Sequence, residues 1–184
     1  MRLLAIDPGS QQSGWLILDT ESWLPLAFGK DANDAVLRMC WAGEAMRAGR
    51  SVAWSAAVIE WMAPRGMPTS AEEMETCWWH GRFREALGNR EGKLADLDDE
   101  PVVHRILRAR VQKHISGPGA SDARIRAALI DRYGGIGGKR AAVGLKASPG
   151  PLYGIANDAW AALALAVTQM DAMRGLVAKL EAFA

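Results

Sequence analysis

The first third of the chain consists of short apolar runs that end at turn-forming residues. Residues 3–6 are apolar and stop at Asp7-Pro8-Gly9-Ser10, a second run covers residues 14–18, and a third covers residues 23–28 and contains Pro25. Apolar runs of this length between Gly, Pro and Asp residues are typical of strands. We therefore predict three strands. The first two form a hairpin, and the third lies at a sheet edge because its proline removes one ladder donor.

Helices and further strands are predicted to alternate after these runs. Asp31 is expected to cap a helix that extends to about Gly49, and the apolar residues 52–59 predict a strand covered on both faces. The later expected segments are a helix from Ser70, a polar loop over residues 88–101, a strand over residues 102–111, a helix over residues 122–133 capped by Ser121, a mobile loop over residues 134–151 and a helix over residues 155–183. This order predicts one α/β domain over residues 1–184, with a mixed five-stranded sheet flanked by helices.

The composition excludes several classes of protein. With 49% hydrophobic and 23% charged residues among 184, the chain has the side chains of a folded core and is not disordered. Cys40 and Cys77 complete neither a disulfide framework nor a zinc set, which favours a reducing compartment. Residues 1–6 are too short for a signal-peptide core, and no apolar run approaches the ~20 residues of a membrane span. We therefore expect a cytoplasmic protein without membrane contact.

Two of the predicted strands end in a carboxylate. Asp7 follows residues 3–6 and Glu60 follows residues 52–59, so neighbouring strands would bring two negative charges together. Asp158 adds a third carboxylate where the last apolar helix begins. Hard oxygen ligands of this kind suit Mg²⁺, with Mn²⁺ as a substitute, and such ions support phosphodiester hydrolysis. Taken singly, Asp7 could begin a turn, Glu60 could be a solvated strand end and Asp158 could be an ordinary first-turn helix residue, so their joint order carries the interpretation.

The order of these motifs resembles that of a known nuclease family. The matching segments are Asp7-Pro8-Gly9-Ser10 followed by Gly14, then Val58-Ile59-Glu60, then Gly117-Pro118-Gly119-Ala120-Ser121, and finally Asp158 before an Ala- and Leu-rich helix. They are similar to the motifs of the RuvC-type Holliday junction resolvases. The resemblance implies an RNase H-like fold, two bound Mg²⁺ ions, a homodimer, and cleavage of four-way or other branched DNA in a bacterial or phage-infected cell. It assigns metal binding and catalysis to Asp7, Glu60 and Asp158.

The distribution of charge favours a nucleic-acid partner. Although 22 Lys and Arg oppose 21 Asp and Glu, residues 105–146 hold ten basic and two acidic residues, so a net charge of +8 there is offset by −7 elsewhere. A phosphate backbone is a natural partner for such a segment, and solubility alone is the competing explanation. Within it, Lys113 and Arg124 resemble basic positions near the scissile phosphate of the family. We expect these two residues and Arg126 to contact DNA.

One position departs from the family pattern. The family carries a second acidic or metal-binding side chain three residues away on the last helix, but Ala161 follows Asp158 at that spacing and Ile155 precedes it. Asn157 or a water molecule could supply the missing oxygen. Two alternative functions stay open. Ala161 motivates a noncatalytic homologue that binds junctions without cutting them. A nuclease that acts on RNA–DNA hybrids or flaps is the other, because one fold can host several substrates.

Other chemistries lack the residues that they require. The segment from Tyr133 to Arg140 is rich in glycine, but it lacks the first glycine and the Ser or Thr of a phosphate-binding loop, so no nucleotide cofactor is expected. His80, His104 and His114 do not have the spacing of metal ligands.

Overall fold

The computed structural model describes residues 1–47, 49–63, 69–88 and 103–181. In chain order the elements are β1 (Arg2–Asp7), β2 (Gln12–Asp19), β3 (Pro25–Ala32), α1 (Asn33–Ala42), β4 (Glu44–Arg47), β5 (Arg50–Ala53), β6 (Ala56–Trp61), α2 (Ala71–Gly88), β7 (Val103–Leu107), α3 (Arg108–Ile115), α4 (Asp122–Gly134), α5 (Lys139–Ala142), β8 (Gly144–Leu145), β9 (Ser148–Pro149) and α6 (Ala159–Glu181). Apart from Gly88, the loop predicted over residues 88–101 lies outside the described residues. None of the described helices is long and apolar enough to cross a membrane.

Five strands form the main sheet, in the order β3-β2-β1-β6-β7. β1, β2 and β3 pair antiparallel through short turns, whereas β1, β6 and β7 run parallel to one another. Parallel neighbours require a crossover, and the segments that contain α1 and α2 provide it. β3 begins with Pro25 and lies at the edge, as predicted. The predicted mixed five-stranded α/β sheet with flanking helices is confirmed.

Helices cover both faces of this sheet. Leu3 and Ala5 of β1 belong to the core that the sheet forms with α3, α4 and α6, and Leu4 and Ile6 belong to the core that it forms with α1 and α2. All four side chains are fully buried, because successive residues of a strand point to opposite faces and both faces are covered here. Burial of each Leu or Ile contributes about 1.5–3 kcal/mol to folding.

The boundaries predicted for the first helix and the fourth strand are wrong. α1 ends at Ala42 because Gly43 adopts a left-handed backbone with φ of 75°, and β4 and β5 then form a separate hairpin. Residues 52–59 are therefore divided between β5 and β6. Asp31 does not cap α1. It lies in β3, where its carboxylate accepts a hydrogen bond of 2.6 Å from the indole N–H of Trp15.

Three later boundaries also differ from the sequence predictions. The strand expected over residues 102–111 ends at Leu107, and α3 begins at Arg108. The segment expected as a mobile loop over residues 134–151 contains α5 and the β8–β9 hairpin, and the last helix begins at Ala159 instead of residue 155. The predicted helix starts near Ser70 and Ser121 are confirmed. Ser70 exchanges hydrogen bonds with Glu73 in a capping box, and Ser121 accepts the amide N–H of Arg124.

Candidate active site

Asp7 and Glu60 lie side by side at the carboxyl edge of the sheet. β1 and β6 are parallel with Ile6 opposite Ile59, so the next residue of each strand reaches the same edge. Ala5 and Val58 face α6, while Ile6 and Ile59 face α1 and α2. Because strand side chains alternate, Asp7 and Glu60 both point toward the α6 side. The sequence prediction that two strand ends bring these carboxylates together is confirmed.

Gly14 brings Asp158 to the same edge. In the ladder between β1 and β2, Gly14 lies opposite Asp7, and a Cβ atom on Gly14 would come within 2.5 Å of the carbonyl oxygen of Asp158. The start of α6 can therefore approach β2 only where a side chain is absent. Lys30, opposite Gly14 on β3, completes the row, and its Nζ lies 2.8 Å from Oδ2 of Asp158.

Arg108 and Asp122 enter the site from two other elements. β7 runs parallel to β6, so the first residue of α3, Arg108, emerges beside Glu60. The guanidinium bridges two carboxylates. Its Nη1 lies 3.2 Å from Oε1 of Glu60 and its Nη2 lies 2.6 Å from Oδ1 of Asp122, the first residue of α4. Burial lowers the pKa of Arg108, but Glu60, Asp7 and Asp122 outweigh burial and raise it, so the guanidinium stays charged.

The carboxylates of this site and Arg108 line one cavity of about 290 Å³, which we call the acidic cavity. Its lining includes four carboxylates, contributed by Asp7, Glu60, Asp122 and Asp158, together with Arg108. The pKa of Asp7 is raised well above its ordinary value, chiefly because burial disfavours the charged form and then because Glu60 repels it. Neither Lys30 nor Arg108 forms its salt bridge with Asp7. A cation in the cavity would therefore stabilise the charged form of Asp7.

The chemistry of the acidic cavity suits Mg²⁺ or Mn²⁺, which prefer several carboxylate oxygens with room for water. In the present arrangement, no three His, Cys, Asp or Glu side chains among the described residues are spaced to hold one metal ion. Glu60 and Asp122 are drawn to Arg108, and Asp158 is drawn to Lys30. A metal ion that bound here would have to displace these ion pairs.

The three basic residues predicted to contact DNA lie at different distances from the acidic cavity. The guanidinium of Arg126 stacks 4.8 Å from the ring centroid of Trp160, which lines the cavity. Arg124 is exposed on α4 and donates to the carbonyl of Ser116. Lys113 faces a separate cleft on another face of α3. The structure thus places Arg126 against Trp160 of the cavity lining, whereas Lys113 lines a different cleft.

Sequence reasoning missed the two cations and the fourth carboxylate of this site. The pattern of residues 102–111 predicts one strand and gives no reason to place Arg108 in the site. Because the strand ends at Leu107, the next residue lies beside Glu60. Asp122 had only the signal of an acidic first helical turn. Lys30 reaches Asp158 through pairing across two strands, for which the sequence carries no local signal.

Comparison with solved structures of known proteins identifies the fold of the chain. No protein-family model and no curated protein matches the chain. A structure of RuvC from Thermus thermophilus superposes with a TM-score of 0.56 and 17% sequence identity, covering 95% of this chain and 97% of that one. The chain has the RuvC fold. T. thermophilus RuvC in complex with a Holliday junction substrate superposes with a TM-score of 0.51 and 16% identity, covering 95% and 96% of the two chains. The RNase H-like architecture expected from the motifs is therefore confirmed.

Proposed function

We propose that the chain is a metal-dependent endonuclease that cleaves branched DNA and resolves Holliday junctions. One observation carries this proposal. Three carboxylates, from the ends of the adjacent parallel strands β1 and β6 and from the start of α6, converge on one cavity in a RuvC fold. A RuvC of this fold has been solved with a Holliday junction substrate. The alternation that turns Asp7 and Glu60 toward α6 makes this convergence a property of the backbone.

Asp7, Glu60 and Asp158 would hold Mg²⁺, with Mn²⁺ as a substitute. When bound, such ions supply an activated water and stabilise the leaving oxygen of the phosphodiester. The protein contributes orientation and charge. The strand β1 fixes the position of Asp7. Once Lys30 and Arg108 are released from Asp158 and Glu60, they would carry positive charge beside the cavity, where a phosphate would enter. Arg108 suits this role because its fork of donors matches phosphate oxygens.

The basic segment over residues 105–146 would bind the DNA backbone around the acidic cavity. Arg126, which stacks on Trp160 of the cavity lining, and exposed Arg124 lie on the same helix, α4, and Lys113 extends the positive surface to the neighbouring cleft. Binding through phosphates predicts an affinity that falls steeply with salt. We further propose a homodimer, since two sites are needed to cut two strands of a four-way junction symmetrically.

The decisive experiment uses a labelled synthetic four-way junction incubated with purified protein and MgCl₂ or MnCl₂. We expect paired nicks from the wild type and none from Asp7→Asn, with junction binding retained by both. Asp34→Asn is the matched control, because Asp34 is an exposed aspartate in the first turn of α1. We expect this variant to cleave the junction like the wild type. Full cleavage by Asp7→Asn would refute the site. Faster cleavage of an RNA–DNA hybrid or a flap would refute the substrate and favour the nuclease alternative.

A noncatalytic junction-binding protein is the second candidate, and two observations favour it. Ala161 stands where the family carries another metal-binding side chain, and no three described His, Cys, Asp or Glu side chains are spaced to hold an ion. The same assay separates the candidates. Tight junction binding with no nicking by the wild type at any concentration of MgCl₂ or MnCl₂ would establish the second function and exclude the first.

A further inference from the structure

Asp122 is the one carboxylate of the acidic cavity that no family motif accounts for. It is the first residue of α4, next to the capping residue Ser121, whereas the other three carboxylates come from β1, β6 and the start of α6. The sequence marks it only as a first-turn acid. The turn before α4 and the packing of that helix on α3 carry it to the cavity, 2.6 Å from Arg108.

Arg108 shows that Asp122 and Glu60 already share one cation. Both carboxylates contact the same guanidinium, through Nη2 and Nη1 respectively. Their surroundings differ, because the side chain of Glu60 is 7% exposed and that of Asp122 is 80% exposed. Glu60 is therefore fixed in the wall of the cavity. Asp122 lines the same cavity from its solvent-exposed side.

The charge of the cavity favours a divalent cation. Four carboxylates line it, and Arg108 and Lys30 are the cations that form salt bridges with them, so two negative charges stay uncompensated when all four are ionised. Ala161 lines the same cavity and offers no oxygen. Asn157 also lines it, with a left-handed backbone at φ of 48°, but its amide adds no charge. Asp122 is the remaining acidic donor.

We propose that Asp122 supplies the fourth carboxylate of the metal site and replaces the acid that is absent at Ala161, with Arg108 as the cation that holds it in the metal-free protein. This inference rests on the proposed metal-dependent function. It assigns to α4 a ligand that the sequence pattern would place on α6. The exchange is physically reasonable because Asp122 and Ala161 line the same cavity.

Isothermal titration of metal-free protein with MnCl₂, without DNA, tests the assignment. We expect Asp122→Asn to weaken Mn²⁺ binding about tenfold or more, the usual scale for losing a group that supports a metal site. Asp131→Asn is the matched control and should bind Mn²⁺ like the wild type. Asp131 lies on the same helix but outside the cavity, and its carboxylate accepts a hydrogen bond from the amide of Gly137. Adding Ala161→Asp to Asp122→Asn should restore binding, since Ala161 is only partly buried and lines the cavity.

Arg108 requires a separate arm, because losing Asp122 leaves its guanidinium free to hold Glu60 more strongly and so compete with the ion. In an Arg108→Gln background this competition is absent. We expect Arg108→Gln alone to bind Mn²⁺ more tightly than the wild type, and Asp122→Asn to weaken binding again in that background. Melting temperatures of the metal-free variants, measured by circular dichroism, confirm that each one is folded.

The outcomes separate this inference from the proposed function. If Arg108→Gln/Asp122→Asn binds Mn²⁺ with the same affinity as Arg108→Gln alone, the role of Asp122 is overturned and the nuclease proposal stays intact. Loss of affinity in Asn157→Ala but not in Asp122→Asn would overturn it in favour of the amide. A wild-type protein that binds no Mn²⁺ while folded would refute metal-dependent function and this inference together.

Discussion

Replacing Gly14 with alanine adds one methyl group where β2 touches the start of α6. The new Cβ would lie 2.5 Å from the carbonyl oxygen of Asp158, 2.6 Å from its carbonyl carbon and 2.7 Å from its Cβ. Carbon contacts are comfortable at about 3.5–4.0 Å, so the two elements must separate by about 1 Å. The carbonyl oxygen in question accepts the amide N–H of Ala162, at 3.0 Å, in the first turn of α6. Separation therefore disturbs both the helix start and the position of the Asp158 carboxylate.

The expected cost in stability follows from this overlap. Overpacking of a tight contact typically costs about 1–3 kcal/mol. In a chain of this size each 1 kcal/mol shifts Tm by about 2–4 °C, so Gly14→Ala should lower Tm by roughly 4–8 °C for a cost of about 2 kcal/mol. If the chain cleaves DNA as proposed, a displacement of about 1 Å at Asp158 should also reduce the cleavage rate about 100-fold.

Gly81→Ala is the matched control, because it makes the same chemical change in the interior of α2. A Cβ atom at Gly81 would meet no atom within 4 Å beyond the adjacent backbone of its own helix. Alanine is favoured over glycine in a helix by about 1 kcal/mol, so this variant should be more stable than the wild type. Thermal unfolding monitored by circular dichroism measures both variants, and junction cleavage is measured in parallel. A Gly14→Ala protein with the Tm and cleavage rate of the wild type would refute the close approach of β2 and Asp158.

Three further predictions concern single side chains. Asp7→Asn should raise the Tm of metal-free protein, since burial and repulsion disfavour the charged carboxylate, whose pKa is raised; a lower Tm would contradict this. Ser121→Ala should cost about 1 kcal/mol in urea unfolding, because the hydroxyl caps α4 at the amide of Arg124; an unchanged midpoint would exclude the cap. Burial, and secondarily the charge of Arg105, lower the pKa of His80 from 6.5 to about 4, so the unfolded chain binds its proton more strongly and stability should fall as pH drops through this range. His80→Phe should show a shallower acid decline in Tm, and an equally steep one would refute the assignment.

Patterns local to a segment predicted the parts of the fold that depend on local physics. The strands β1 and β2 follow from apolar runs bounded by turn residues, and the helix start at Ser121 follows from its capping hydroxyl. The predicted boundaries of helices and strands were wrong where the secondary structure changes at one residue while the hydrophobicity of the sequence stays the same. Gly43 ends α1 through its left-handed backbone, and the change from strand to helix after Leu107 occurs within a segment of similar composition.

The sequence by itself determined the α/β class, the order of the motifs, and the identity of Asp7 and Glu60 as neighbours, since each follows an apolar run and parallel strands end at one edge. Tertiary structure alone decided which charges surround them. Strand pairing brings Lys30 to Asp158, and helix packing brings Asp122 to the acidic cavity, in both cases between segments far apart in the chain. Gly14 sets the approach of Asp158. Electrostatic energy depends on distance in space, whereas sequence patterns report on neighbours along the chain.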